Sequence, residues 1–112
     1  DIVIGGFDWL PVALQKIKQG ELDASVGGHF LMVAIGLIKI VDYENGFNTF
    51  LTPPLFNKFE LITGDNVDEH LEFFEKKLWG QVNFNDYLFS KNQQPPSLSI
   101  KNLIDKYNNE KQ

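Results

Sequence analysis

The sequence predicts an α/β fold begun by a parallel strand–helix–strand unit, and three local patterns carry that expectation. The run Ile2-Val3-Ile4 is β-branched and apolar and stops at Gly5-Gly6. Leu10, Ala13, Leu14 and Ile17 recur at i, i+3, i+4, i+7, one stripe of a helix. Leu22, Ala24 and Val26 then alternate with Asp23, Ser25 and Gly27, the period of a strand. Two strands joined by a crossover helix pair in parallel.

The elements follow in order. A continuous apolar run at Ile2–Ile4 reads as a strand covered on both faces. Asp8 is placed to cap the first helix, Pro11 sits in its first turn, where a missing N–H costs nothing, and Gly20 stops it. After the second strand, residues 29–43 are apolar on nearly every side. Asn45-Gly46 ends them, and a helix of that kind must be covered all round. Residues 47–57, with Pro53-Pro54, read as an extended connection. Residues 58–63 form a third short strand, with Phe59 and Leu61 alternating with Lys58 and Glu60. Asn66 and Glu69 stand at capping-box spacing before a helix carrying Val67, Leu71, Phe74 and Leu78. Residues 80–96 are irregular and rich in Asn and aromatics. Ser97 or Ser99 caps a last helix with Ile100, Leu103, Ile104 and Tyr107 as its stripe, and residues 108–112 are expected to fray.

Composition limits the chemistry. The chain has 112 residues, 43% hydrophobic and 13% aromatic, enough for one ordered core. Its net charge is −5, with no arginine, so it lacks the fork donors that read phosphates and base edges, and no nucleic-acid partner is expected. Without cysteine there is no disulfide, thiol catalysis or Cys-ligated zinc. The apolar run from Phe30 to Ile38 is well short of the ~20 residues of a membrane span, so no membrane insertion is expected. The opening residues lack the basic n-region of a signal peptide. Only two histidines occur. His70, beside Glu69, reads as a solvated surface residue. No nucleophile elbow, dinucleotide fingerprint, phosphate loop or metal-ligand spacing is present, so neither an enzyme nor a cofactor is expected.

Binding is better supported. In open parallel sheets, ligands lie beyond the C-terminal ends of the strands. The first strand ends at Phe7-Asp8-Trp9 and the second at Gly27-Gly28-His29. Asp8 offers two acceptor oxygens, Trp9 a flat apolar face and an N–H, and His29 a donor and an acceptor, while Gly28 lets backbone approach a ligand. Together they would suit a polyol. Each also has a structural reading: Asp8 as a helix cap, Trp9 as core.

At these residues the sequence resembles a known family. Residues 2–8 (IVIGGFD) and 11–26 (PVALQKIKQGELDASV) are similar to the late part of type I periplasmic sugar-binding proteins, the ribose-binding branch above all. That family carries a G-F-D strand end, a P-x-A-L-x-x-I-K-x-G-x-L helix and an A-T/S-V strand. Residues 59–67 (FELITGDNV) look like its last strand. The resemblance covers about residues 1–67. It implies a parallel-sheet βαβ piece of a periplasmic-binding-protein-like I fold with incomplete lobes, and leaves residues 68–112 as a C-terminal helical extension. It further implies a periplasmic, two-lobed protein that closes on a small sugar-like ligand, as the binding component of an ABC permease. A sensing receptor acting through a membrane sensor kinase, or the effector domain of a sugar-responsive repressor, are the alternatives. The family's ligand-contacting Asp falls on Asp8. Its second contact, often Gln, falls on Gly28, with His29 next to it.

By the same resemblance, the apolar helix after His29 belongs to the lobe opposite the first strands. Its burial by another chain, or by refolded local packing, is therefore expected, and with it a possible homo-oligomer of the fragment.

Overall fold

The structure is a computed structural model that describes residues 2–49 and 58–112. Of the connection expected over 47–57, the part from 50 onward lies outside the described residues. Among the described residues the architecture is mixed α/β, with three strands and four α-helices. Strand β1 (Gly5–Phe7) leads to α1 (Pro11–Lys18), β2 (Ala24–Gly27) and α2 (Leu31–Glu44). Strand β3 (Glu60–Thr63) is followed by α3 (Val67–Glu75), two 3-10 turns at Leu78–Gln81 and Phe84–Tyr87, and α4 (Ile100–Glu110).

The expected parallel unit is present. Gly5, Gly6 and Phe7 pair in parallel with Ala24, Ser25 and Val26. The sheet as a whole is mixed, because β3 pairs antiparallel with β2, setting Leu61 opposite Val26 and Ile62 opposite Ser25. The central strand is β2. Residues paired across strands share a face, so Gly6, Ser25 and Ile62 form one row and Phe7, Val26 and Leu61 the other. Helices α1 and α3 cover the first row. Leu14, Ile17, Val67 and Leu71 join Ile62 in a buried cluster that extends through Phe73 and Leu78 to Leu98, Ile100, Leu103 and Ile104. The second row is open: Phe7 and Leu61 are exposed. The radius of gyration, 16.0 Å, exceeds the about 13 Å of a compact chain of this length.

Several local expectations are corrected. The first strand is not Ile2–Ile4. Ile2 is 88% exposed, and pairing begins at Gly5, where β2 supplies a partner; β-branched residues without one do not make a strand. Asp8 does not cap α1. Leu10 holds that position, Pro11 is the first helical residue, and Asp8 lies three residues upstream of it with φ +77°. Asn66 precedes α3, but its side chain closes the strand–helix turn, accepting from Thr63 N–H (2.9 Å) and donating to the Leu61 carbonyl (3.1 Å). The last helix runs to Glu110 rather than fraying at 108, and Lys111 pairs with Glu72 of α3. Ser99 caps that helix as expected, its hydroxyl accepting from Asn102 N–H at 3.1 Å.

The apolar helix departs most from expectation. Only one stripe of α2 is buried, Leu31, Ile38 and Asp42. Asp42 secures it, its carboxylate accepting from the backbone N–H groups of Phe89 (3.0 Å) and Ser90 (2.9 Å). Met32, Val33, Leu37, Ile40 and Val41 face outward. The expected cover is absent among the described residues because the segment around residues 79–90 reaches only one side of the helix.

Candidate functional site

Because β1 and β2 are parallel, their C-terminal ends open at the same sheet edge. The chain leaving β1 is held to β2 by two hydrogen bonds. Asp8 N–H donates to the Val26 carbonyl (2.9 Å), and the buried Ser25 hydroxyl donates to the Asp8 carbonyl (2.6 Å). Between these anchors Asp8 takes its left-handed conformation, which Asp tolerates better than most residues. The turn swings its carboxylate toward the end of β2. There His29 Nε2 lies 3.1 Å from Asp8 Oδ1.

Gly28 makes that meeting possible. Its φ is +98°, and a Cβ there would press on the Trp9 ring at 3.4 Å. The contact at Gly27 is closer still: a Cβ would stand 2.6 Å from Trp9 Nε1. Trp9 thus lies flat beneath the second strand end as a floor. It is buried, and its indole N–H points to the Ser25 carbonyl at 3.4 Å.

Exposed aromatics flank the pair. Phe7 stacks on His29, with centroids 5.4 Å apart and planes 20° from parallel, and Phe59 packs edge-on against Phe7 at 5.9 Å. Both belong to the open face of the sheet. The arrangement is a carboxylate close to an imidazole, bordered by flat apolar rings. Asp8 Oδ1 is a buried atom with no hydrogen-bond partner among the described residues, the 3.1 Å approach of His29 Nε2 lacking hydrogen-bond geometry. His29 Nδ1 is a buried atom with no partner among the described residues, and such an atom costs roughly 1–3 kcal/mol unless a donor reaches it.

The sequence-predicted residues therefore converge, with different parts to play. Asp8 and His29 meet, Gly28 shapes the turn, and Trp9 supports from below. Sequence reasoning did not single out Phe59, Phe7 as a ring beside His29, or Ser25 as the anchor of Asp8. It also misread His70. That side chain is 3% exposed and stands edge-on to Trp9 at 5.4 Å. Nδ1–H donates to the Asn66 carbonyl at 2.8 Å, while Nε2 is 3.9 Å from Glu60 Oε2, too far for a hydrogen bond. His70 is core, under the floor of the site. Among the described residues no cluster of three or more His, Asp or Glu is placed to hold a metal ion. None of the described helices is long and apolar enough to cross a membrane.

A groove of about 680 Å³ lies elsewhere, between α2 and the 3-10 turns, lined by Val33, Leu37, Trp79, Val82 and Phe84 among others. Among the described residues its lining is apolar apart from Asn83, Asn85 and the Trp79 indole. Comparison of the chain with protein-family models, curated proteins and solved structures finds no match.

Proposed function

We propose that the chain forms one wall of a cleft that binds a small, uncharged polyol such as a sugar, as the C-terminal portion of a two-lobed periplasmic solute-binding protein serving an ABC permease. The observation that supports this best is the meeting of Asp8 and His29, 3.1 Å apart, at the ends of two adjacent parallel strands. Asp8 carries a carboxylate oxygen without a hydrogen-bond partner among the described residues, and a carboxylate is a strong acceptor for hydroxyl donors. Phe7 and Phe59 offer rings on which the C–H face of a sugar packs. The absence of arginine from the sequence argues against a ligand held by its own carboxylate. The G-F-D resemblance points to the same Asp8.

The test is a titration of the isotopically labelled chain with D-ribose, D-galactose and myo-inositol, followed by amide NMR. Shifts confined to Asp8, Gly28, His29 and their neighbours are expected for at least one probe. Asp8→Ala should weaken that binding by about 1.5–3 kcal/mol, the range for a hydrogen bond to a charged group. No response at these amides to any probe, or an unchanged affinity in the folded variant, removes the site.

A further inference from the structure

We propose that two copies of this chain associate in solution through α2, each copy's exposed ridge seating in the groove beside the other's helix. Val33, Leu37 and Ile40 stand at i, i+4, i+7 and form a single outward stripe, extended by Met32 and Val41. Val33 is 70% exposed and Leu37 59%. Beside this ridge runs the apolar groove, its far wall made by Trp79, Val82 and Phe84. Ridge and groove lie on the same face of one molecule. A two-fold interface requires such a self-complementary patch, because each copy contributes both halves.

Charge and shape favour a second copy as the occupant. The chain carries −5 overall, yet among the described residues no charged side chain lines the groove, so two copies meet there without like charges opposed. Gly36 lies within the stripe with nothing within 4 Å of its Cβ position, which lets two helices approach closely. This inference does not rest on the ligand reading: the patch shares neither Asp8 nor His29.

The test is sedimentation equilibrium of the 112-residue chain. A dimer is expected, with Leu37→Glu raising its dissociation constant by about a hundredfold, since a carboxylate would be desolvated without a partner. Far-UV circular dichroism checks that the helix survives. Gly36→Cys gives a second readout that avoids a buried charge. The chain has no other cysteine, and a residue near a two-fold axis faces its own copy, so mild oxidation should yield a covalent dimer. A monomer at every concentration overturns the proposal and leaves this face to an element of a longer polypeptide. A dimer indifferent to Leu37→Glu, or a Gly36→Cys variant whose thiol stays reduced within a dimer, overturns it equally and moves the interface to another surface.

Discussion

On one face of the sheet, Gly6, Ser25 and Ile62 lie under α1 and α3. On the other, Phe7, Val26 and Leu61 form an equally apolar row that is open to solvent. A sheet with a parallel βαβ unit normally buries both faces, and the side chains in this one suit burial on both. The chain encodes more apolar surface than it covers, and α2 repeats the pattern. The groups suited to holding a ligand, Asp8 and His29 with Phe7 and Phe59, gather beside the open face. The covered face supplies stability, and the proposed ligand site stands at the edge of the open one.

The largest expected effect sets the two faces directly against each other. Ile62 is fully buried, so Ile62→Ala should cost about 2–5 kcal/mol in urea denaturation through lost burial and the cavity left behind. Leu61, its chain neighbour, is 54% exposed, and Leu61→Ala should stay within about 1 kcal/mol. Comparable losses at both positions would break the comparison and show that the open face is covered in solution.

Next comes the tie that holds α2. Asp42→Ala strands the Phe89 and Ser90 N–H groups and should cost roughly 2–3 kcal/mol, with amide exchange quickening at residues 89 and 90 before it quickens in the sheet. A smaller effect, about 1–3 kcal/mol, is expected from Gly27→Ala, whose methyl would displace Trp9 from under the site. That variant should also disturb the Asp8 and His29 amides, and undisturbed amides would mean that the floor and the site are uncoupled.

Much of this was legible from sequence where a local rule and the tertiary contacts agree. In α4, Ser99 caps and Ile100, Leu103 and Ile104 are buried as their stripe requires. In α1, Pro11 starts the helix, Leu14 and Ile17 face inward, and Gly20 takes the positive φ that ends it. The convergence of Asp8 and His29 followed from strand direction alone. What failed was decided by partners distant in sequence. The Ile2–Ile4 run has strand propensity but lacks a neighbouring strand. His70 was judged by adjacent Glu69, although Val67, His70, Leu71 and Phe74 stand at i, i+3, i+4, i+7, and that spacing already placed it on the inward stripe. In β3 the inward residue is Ile62, so Phe59 and Leu61 share the opposite side, and Phe59 reaches the site through that parity.

The smallest effect, acid, separates the two regions without a mutation. Asp42 and Glu72 both ionise more readily folded than unfolded. At Asp42 burial is the largest influence and opposes ionisation, but hydrogen bonds from the Ser90 side chain and from the Ser90 and Phe89 backbone, aided by the charge of Lys39, together outweigh it and hold the carboxyl below its usual range. Glu72 is held down to about 2, first by the hydrogen bond from Lys111 and then by that from Lys76. A carboxyl with a depressed folded value adds stability that is complete above its unfolded value, about 4 for both types, and is lost as pH falls through the folded one. Acidification below about 4 should therefore progressively loosen α2 from residues 89 and 90 and, as the pH nears 2, α4 from α3 at Lys111, while the apolar contacts around Ile62 persist. The Glu72 contribution is exposed and should vanish in high salt, whereas the buried Asp42 contribution should survive it. Amide exchange along the acid titration reads both. Residues 89 and 90 losing protection ahead of residues 24–26 keeps the two regions distinct, and simultaneous loss makes them one cooperative unit.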